Sequence, residues 1–272
     1  MFDTLIHRYL RVPYTLNVHT ERKAKKPRAT VLFLHGIGSA GAAWDAVIDG
    51  LPKDITVLSV DLLGFGDSPA PEWAAYSAKT QARSVIATLL RHNIRQRLII
   101  VGHSMGALVA VEVARRYPLL VKSLVLCSPP FYKDDEKRFL PTREHTLKRL
   151  FKVAQNHPEK FASIAALAVK YKLVEEAFNV TSDNVGTYMA ALEASIINQT
   201  SLADATKLQK PTTIVHGALD PVVIKKNLDA IVAANKHASL KVVYLAGHAI
   251  MGPYVPALTK EIKKILPPRT GR

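Results

Sequence analysis

The stretch Leu98 to Tyr117, LIIVGHSMGALVAVEVARRY, constrains this chain more than any other. A short apolar run runs straight into Gly102-His103-Ser104-Met105-Gly106, and the residues that follow have helical periodicity. A strand that passes directly into a helix at a serine strains the backbone there. Glycines on both sides remove the Cβ atoms that would strike the neighbouring strand and helix. The hydroxyl is thereby pushed clear of the sheet, where it can act as a nucleophile. With Gly and Ser each near 7% of residues, roughly one chain of this length in ten carries Gly-x-Ser-x-Gly by chance, so the context must carry the assignment.

The context begins with an earlier strand-like run, Thr30 to Leu34 (TVLFL), that ends in His35-Gly36-Ile37-Gly38-Ser39, where glycine lets backbone N–H groups point inward. With these two segments the chain resembles the α/β-hydrolase superfamily. The resemblance implies an oxyanion hole formed by the N–H groups of Ile37 and Met105, and catalytic residues in the order nucleophile, acid, histidine. Downstream, Pro211 to His216 (PTTIVH) leads into Gly217-Ala218-Leu219-Asp220, and Leu240 to Leu245 (LKVVYL) leads into Ala246-Gly247-His248. The nucleophile, acid and base are therefore expected at Ser104, Asp220 and His248.

Competing residues are weaker. Asp220 stands in a Gly-x-x-Asp-x-x-Val setting familiar from the superfamily; some members carry the acid one strand earlier, but here that strand ends in Ser128-Pro129-Pro130, with no carboxylate before Asp134 and Asp135. Among the histidines, His145 and His157 fall in an inserted region, His216 within a strand run and His237 in a helix–strand connection. His35 and His103 are read as packing or supporting residues. Asp61 and Asp67 belong to the turn Asp61-Leu62-Leu63-Gly64-Phe65-Gly66-Asp67-Ser68, a structural loop in the superfamily.

Strand-like runs at Ile55 to Val60 and Val121 to Cys127 alternate with helical patterns at Ala40 to Gly50, Ser77 to His92, Lys225 to Asn235 and Pro256 to Leu266. An opening strand or hairpin is suggested over Arg11 to Thr20. This alternation predicts an α/β fold with a mostly parallel, doubly wound sheet and chemistry at the C-terminal strand ends. From Phe131 to Ala205 the pattern changes to helix-like segments, LKRLFKVAQ, FASIAALAVKYKLVEEAF and TYMAALEASII. The expected division is a core of residues 1–130 and 206–272 with a helical cap inserted at 131–205. Phe161, Ile164, Leu167, Phe178 and Met189 can all be explained as cap packing, so none is assigned to substrate.

The chain has 272 residues, 48% hydrophobic, enough for a sizeable core, and shows no internal repeat or low-complexity tract. It has no signal-peptide-like opening and no apolar run of membrane-spanning length, so a cytoplasmic protein without a membrane span is expected. The single cysteine, Cys127, reads as a buried strand thiol. Lysine and arginine number 37 against 22 acids, a formal charge of +15 that could attract nucleic acid, anionic lipid or an acidic carrier protein. No zinc spacing or RNA-binding aromatic motif accompanies it, so nucleic acid is not an expected partner.

These features predict a serine hydrolase that cleaves a small carboxylic ester through an acyl-enzyme, needing no metal and no organic cofactor. A serine at the elbow argues against epoxide hydrolases and haloalkane dehalogenases, which need a carboxylate there. Three alternatives stay open: a carbon–carbon hydrolase of ring-cleavage products, an esterase of acyl chains on an acidic carrier protein, and a non-catalytic binding protein of the same fold. The sequence does not constrain the oligomeric state.

Overall fold

A computed structural model describes residues 2–133, 156–171 and 174–269. The segment LKRLFKVAQ, the alternative acids Asp134 and Asp135, and His145 lie outside the described residues.

Seven strands form one sheet: β1 Val18–Arg22, β2 Thr30–Leu34, β3 Thr56–Val60, β4 Leu98–His103, β5 Val121–Cys127, β6 Thr212–Gly217 and β7 Ala238–Val243. Their spatial order is β1-β3-β2-β4-β5-β6-β7, parallel except where β1 runs antiparallel to β3. The helices are α1 Asp45–Asp49, α2 Ala78–Arg91, α3 Met105–Arg116, α4 Pro158–Lys170, α5 Val185–Ala191, α6 Ser201–Lys207, α7 Lys225–Ala234 and α8 Tyr254–Ile265.

The inner strands are apolar at nearly every position because both faces are covered, as parallel sheets require. Alternate side chains serve different cores. In β2 and β4, Leu32, Leu34, Leu98 and Ile100 join α2 and α3 on one face, while Val31, Phe33, Ile99 and Val101 join Trp44, α1 and α8 on the other. A third, smaller cluster sits within the inserted segment: Ala165, Val180, Val185 and Met189, with Phe161, Phe178, Tyr188 and Leu192 against them. Ile164 and Leu167 are exposed instead. The last helix before β6, α6, contributes Leu202 and Ala205 to the α2–α3 core.

Two local expectations change. Over Arg11 to Thr20 only Val18 onward is strand. Pro13 has no N–H to donate, and the N–H groups of Leu16 and Asn17 bond the hydroxyls of Thr88 and Ser68 instead of a ladder partner. The helix in FASIAALAVKYKLVEEAF stops at Lys170, and Glu175 to Phe178 is a turn closed by Phe178 N–H to Glu175 O.

Register then fixes the relative height of the strand ends. Leu34 pairs with Gly102, His103 with Cys127, Cys127 with Val215, and Gly217 with Val243. The loops after β2, β4, β5, β6 and β7 therefore leave the same end of the sheet.

Candidate active site

Ser104 sits between the last residue of β4 and the first of α3, with φ 51° and ψ −119°, a conformation L-residues rarely adopt. Its N–H is fixed by the Cys127 carbonyl at 2.9 Å. Both flanking glycines are sterically required. A Cβ on Gly102 would strike the Gly106 carbonyl, and one on Gly106 would strike the carbonyl oxygens of Leu34 and His35.

His248 brings its Nε2 to 3.1 Å from Ser104 Oγ and its Nδ1 to 2.9 Å from Asp220 Oδ2. A carboxylate only accepts, so Nδ1–H donates to Asp220 and Nε2 is left to accept the serine proton. The Asp220 side chain is fully buried while His248 keeps 27% of its side chain exposed. Burial alone would raise the Asp220 pKa. The imidazole of His248, then the Ser128 hydroxyl and the Val222 N–H, outweigh it and hold the carboxyl below its ordinary range. The site therefore carries an anchored anion behind an accessible base.

β4 and β7 are three strand spacings apart, about 14 Å, so His248 reaches Ser104 only because its loop folds back across the ends of β6 and β5. Leu245 turns that loop with a left-handed backbone, φ 60°. Leu219 N–H bonds the Ala246 carbonyl at 2.9 Å, and Gly217 has no Cβ to collide with the carbonyls of Ala246 and Gly247. From below, His103 Nε2–H donates to the His248 carbonyl at 2.9 Å. Burial, and then the charge of His248, push the His103 pKa down to about 4, so this imidazole is neutral near pH 7. The residue just before Ser104 thus supports the loop that carries His248.

The loop after β2 lies against the serine: a Cβ on Gly36 would be 3.2 Å from Ser104 Cβ. The N–H groups of Ile37 and Met105 have no hydrogen-bond partner among the described residues. Two backbone donors beside a poised hydroxyl are the arrangement that stabilises charge developing on a carbonyl oxygen. His35, fully buried, holds this loop. Its Nε2 accepts from Leu62 N–H at 2.8 Å and its Nδ1–H donates to Gly36 O at 2.7 Å, while burial lowers its pKa.

Above the loop, Asn179 N–H bonds Gly38 O at 2.7 Å, and Phe178 and Tyr188 pack where Gly38 has no side chain. The Glu175–Asn179 turn is thereby docked on the donor loop. The Glu175 carboxylate, half-buried and without an ion pair among the described residues, acts on the charge state of both His35 and His103.

Other residues find different work. Asp61 accepts from Gly41 N–H, Asn17 Nδ2 and Asp67 N–H, organising the loops beside His35. His216 Nδ1–H bonds Gly217 O, and His157 and His237 are exposed. Cys127 is buried, its thiol pKa raised by that burial. Sequence reasoning missed Ser128 as a partner of Asp220 and Glu175 as a charge near the site. Ser128 had a usable signal, since it directly follows β5, where superfamily members with the earlier acid carry their carboxylate. Among the described residues, no helix is long and apolar enough to cross a membrane.

Residues 29–252 match the family described as alpha/beta hydrolase fold. The probable lysophospholipase BODYGUARD 4 of Arabidopsis thaliana is 32% identical over 114 residues, 41% of this chain and 27% of that protein. The match thus takes in about a quarter of the length of that relative and of others like it. A pimeloyl-[acyl-carrier protein] methyl ester esterase of Aeromonas hydrophila is 30% identical over 225 residues, covering 78% of this chain and 85% of that enzyme. An esterase structure from Exiguobacterium antarcticum superposes with a TM-score of 0.75 at 17% identity, over 92% of this chain and 95% of the other, a likeness of fold.

Proposed function

The chain belongs to the alpha/beta-hydrolase-fold family, and from that premise we propose that it is a hydrolase that cleaves a small, uncharged carboxylic ester with Ser104 as nucleophile, His248 as general base and acid, and Asp220 as the anion behind it. The observation that carries this reading is the unbroken hydrogen-bonded line from Ser104 Oγ through His248 to Asp220. Ser104 Oγ attacks the ester carbonyl as its proton passes to His248 Nε2, and Asp220 stabilises the imidazolium. The carbonyl oxygen becomes an oxyanion facing the Ile37 and Met105 N–H groups, each worth roughly 3 kcal/mol in comparable sites. When the intermediate collapses, the C–O bond to the alcohol breaks and His248 protonates the departing oxygen. Water, deprotonated by His248, then attacks the acyl-serine and releases the acid. We read the described part of residues 131–205 as a cap over this site, with Phe178 and Tyr188 forming its wall above Gly38.

Glu175 supports an uncharged substrate over a carboxylate-bearing one. A carbon–carbon hydrolase of ring-cleavage acids would need a cation near Ser104, and the charge felt by His35 and His103 beside it is the Glu175 carboxylate. The test is fluorophosphonate labelling of the whole chain with peptide mapping. Rapid, single-site modification at Ser104, abolished in His248→Ala, is expected. Label on another serine would overturn the assignment, and no label at all would favour a binding protein of this fold.

A second reading has its own support: the ester is presented on an acidic carrier protein. The Aeromonas relative's name and the charge of +15 favour it. Under this reading kcat/KM for a carrier-bound ester falls steeply with ionic strength while that for a free small ester does not. Equal salt profiles would reject it.

A further inference from the structure

The first residues after Met1 form a helical segment whose polarity is inverted relative to ordinary surface helices. Thr4–Tyr9 is wound with i→i+5 hydrogen bonds, continued by Leu10 N–H to Leu5 O at 3.0 Å. That winding brings residues four and five apart onto one side, so Phe2, Leu5, Ile6, Tyr9 and Leu10 share a face. A surface helix ordinarily turns such a stripe to the core. Here every member is exposed, by 39% to 81%.

Asp3 and His7 are tied to the protein instead, with Asp3 and Arg8 still open to solvent. Asp3 accepts from the buried Tyr14 hydroxyl at 2.6 Å, the His7 ring stacks on Tyr14 at 3.7 Å, and the Arg11 carbonyl accepts from Arg83 at 2.7 Å. The apolar face is therefore held outward by specific bonds and is not a frayed end. Contiguous exposed apolar surface of this kind marks a binding site.

Charge and area select the occupant. Arg8 and Arg11 are exposed next to the stripe, the adjacent carboxylate Asp3 is engaged with Tyr14, and the chain as a whole carries +15. A second copy would bring like charge against like charge. Five side chains are also far fewer than the roughly 20 residues a side that a stable protein interface uses. A lipid surface asks for what is present: aliphatic side chains to enter the acyl boundary, an aromatic ring at headgroup level and cations for anionic headgroups. We propose that residues 2–12 dock the protein on a negatively charged phospholipid surface. Tyr14, which anchors the segment, lies against Trp73 at 5.9 Å, in the connection leaving the C-terminal end of β3. The docked face is thus on the end of the sheet that carries Ser104.

The inference concerns location and is independent of the bond cleaved, so its test reads binding. The whole chain is sedimented with vesicles of phosphatidylcholine alone and of two parts phosphatidylcholine to one part phosphatidylglycerol. The parent should bind the mixed vesicles and bind the neutral ones weakly. The double variant Leu5→Ser, Leu10→Ser, which leaves the net charge unchanged, should lose at least about tenfold in affinity for the mixed vesicles, with hydrolysis of a soluble ester unchanged. Equal binding by parent and variant would reduce the attraction to net charge and overturn the proposal. So would a parent that binds neither vesicle but forms a dimer that the variant cannot, which would assign the stripe to a second copy.

Discussion

Replacing Asp220 by Asn tests the site at its most constrained point, because the structure dictates which way the new amide must face. Asp220 Oδ1 accepts from Val222 N–H at 2.8 Å and from Val223 N–H at 3.4 Å, while Oδ2 faces His248 Nδ1. An asparagine keeps its oxygen toward the two backbone donors, since turning its NH2 toward them would leave them unpaired at about 1–3 kcal/mol. Its NH2 then points at His248 Nδ1, which has to accept. The ring proton moves to Nε2 and opposes the Ser104 hydroxyl, the tautomer that cannot act as a base. The expected loss in kcat is about 10⁴-fold, or ~5.5 kcal/mol of transition-state stabilisation, with KM little changed because Asp220 does not face substrate. The assay is kcat and KM on a short-chain p-nitrophenyl ester, with denaturant unfolding run alongside to show an intact fold. A kcat within tenfold of the parent would refute the reasoning, and a large loss at Asp134→Asn or Asp135→Asn would move the acid elsewhere.

Gly106→Ala should destabilise the fold by roughly 3 kcal/mol or more, because the added methyl meets two backbone carbonyls; Gly186→Ala, in open space on α5, should be neutral or stabilising by up to about 1 kcal/mol. Equal unfolding midpoints for the two variants would contradict this. His103 gives a pH signature. With its pKa depressed from 6.5 to about 4 in the fold, the unfolded chain binds the extra proton between those values, so stability falls as pH drops from 6.5 toward 4, by roughly 3 kcal/mol in total. His103→Gln should reduce the slope in that window, leaving the part that His35, also lowered from 6.5 by burial, contributes, whereas the contribution of Asp220, whose pKa is lowered from 3.8, is lost only at lower pH; an unchanged slope between pH 6.5 and 4 would show that His103 is not among the groups. Glu175→Gln should raise kcat/KM several-fold for a half-ester bearing a free carboxylate and leave a neutral ester unchanged, since a like charge felt at an effective dielectric near 20 costs on the order of 1 kcal/mol. An identical change for both esters would make Glu175 structural.

The elements that build the sheet were legible in the chain because local chemistry determines them. Thr30–Leu34 is β-branched or apolar throughout, Val121–Cys127 is so except at Lys122 and Ser123, and Ser77 caps α2 by accepting from Thr80 N–H. The elbow glycines announced Ser104 because their spacing around it is local, although what a Cβ on Gly106 would strike, the Leu34 and His35 carbonyls, belongs to the neighbouring strand. The opening segment misled, since its alternation could not reveal that Thr88 and Ser68, far along the chain, take the N–H groups a ladder would have used. The residues of the site were thus readable one by one, but their meeting was not. Whether His248 reaches Ser104 depends on a loop that crosses two strand ends, held by Gly217, by Leu219 and by His103. Those contacts join residues up to 145 positions apart, and only the register of the sheet brings them together. Side-chain direction is likewise a tertiary matter. The same apolar spacing in Phe2 to Leu10 that would bury a stripe in another helix leaves it facing solvent here, because Asp3 and His7 found their partner in Tyr14 first.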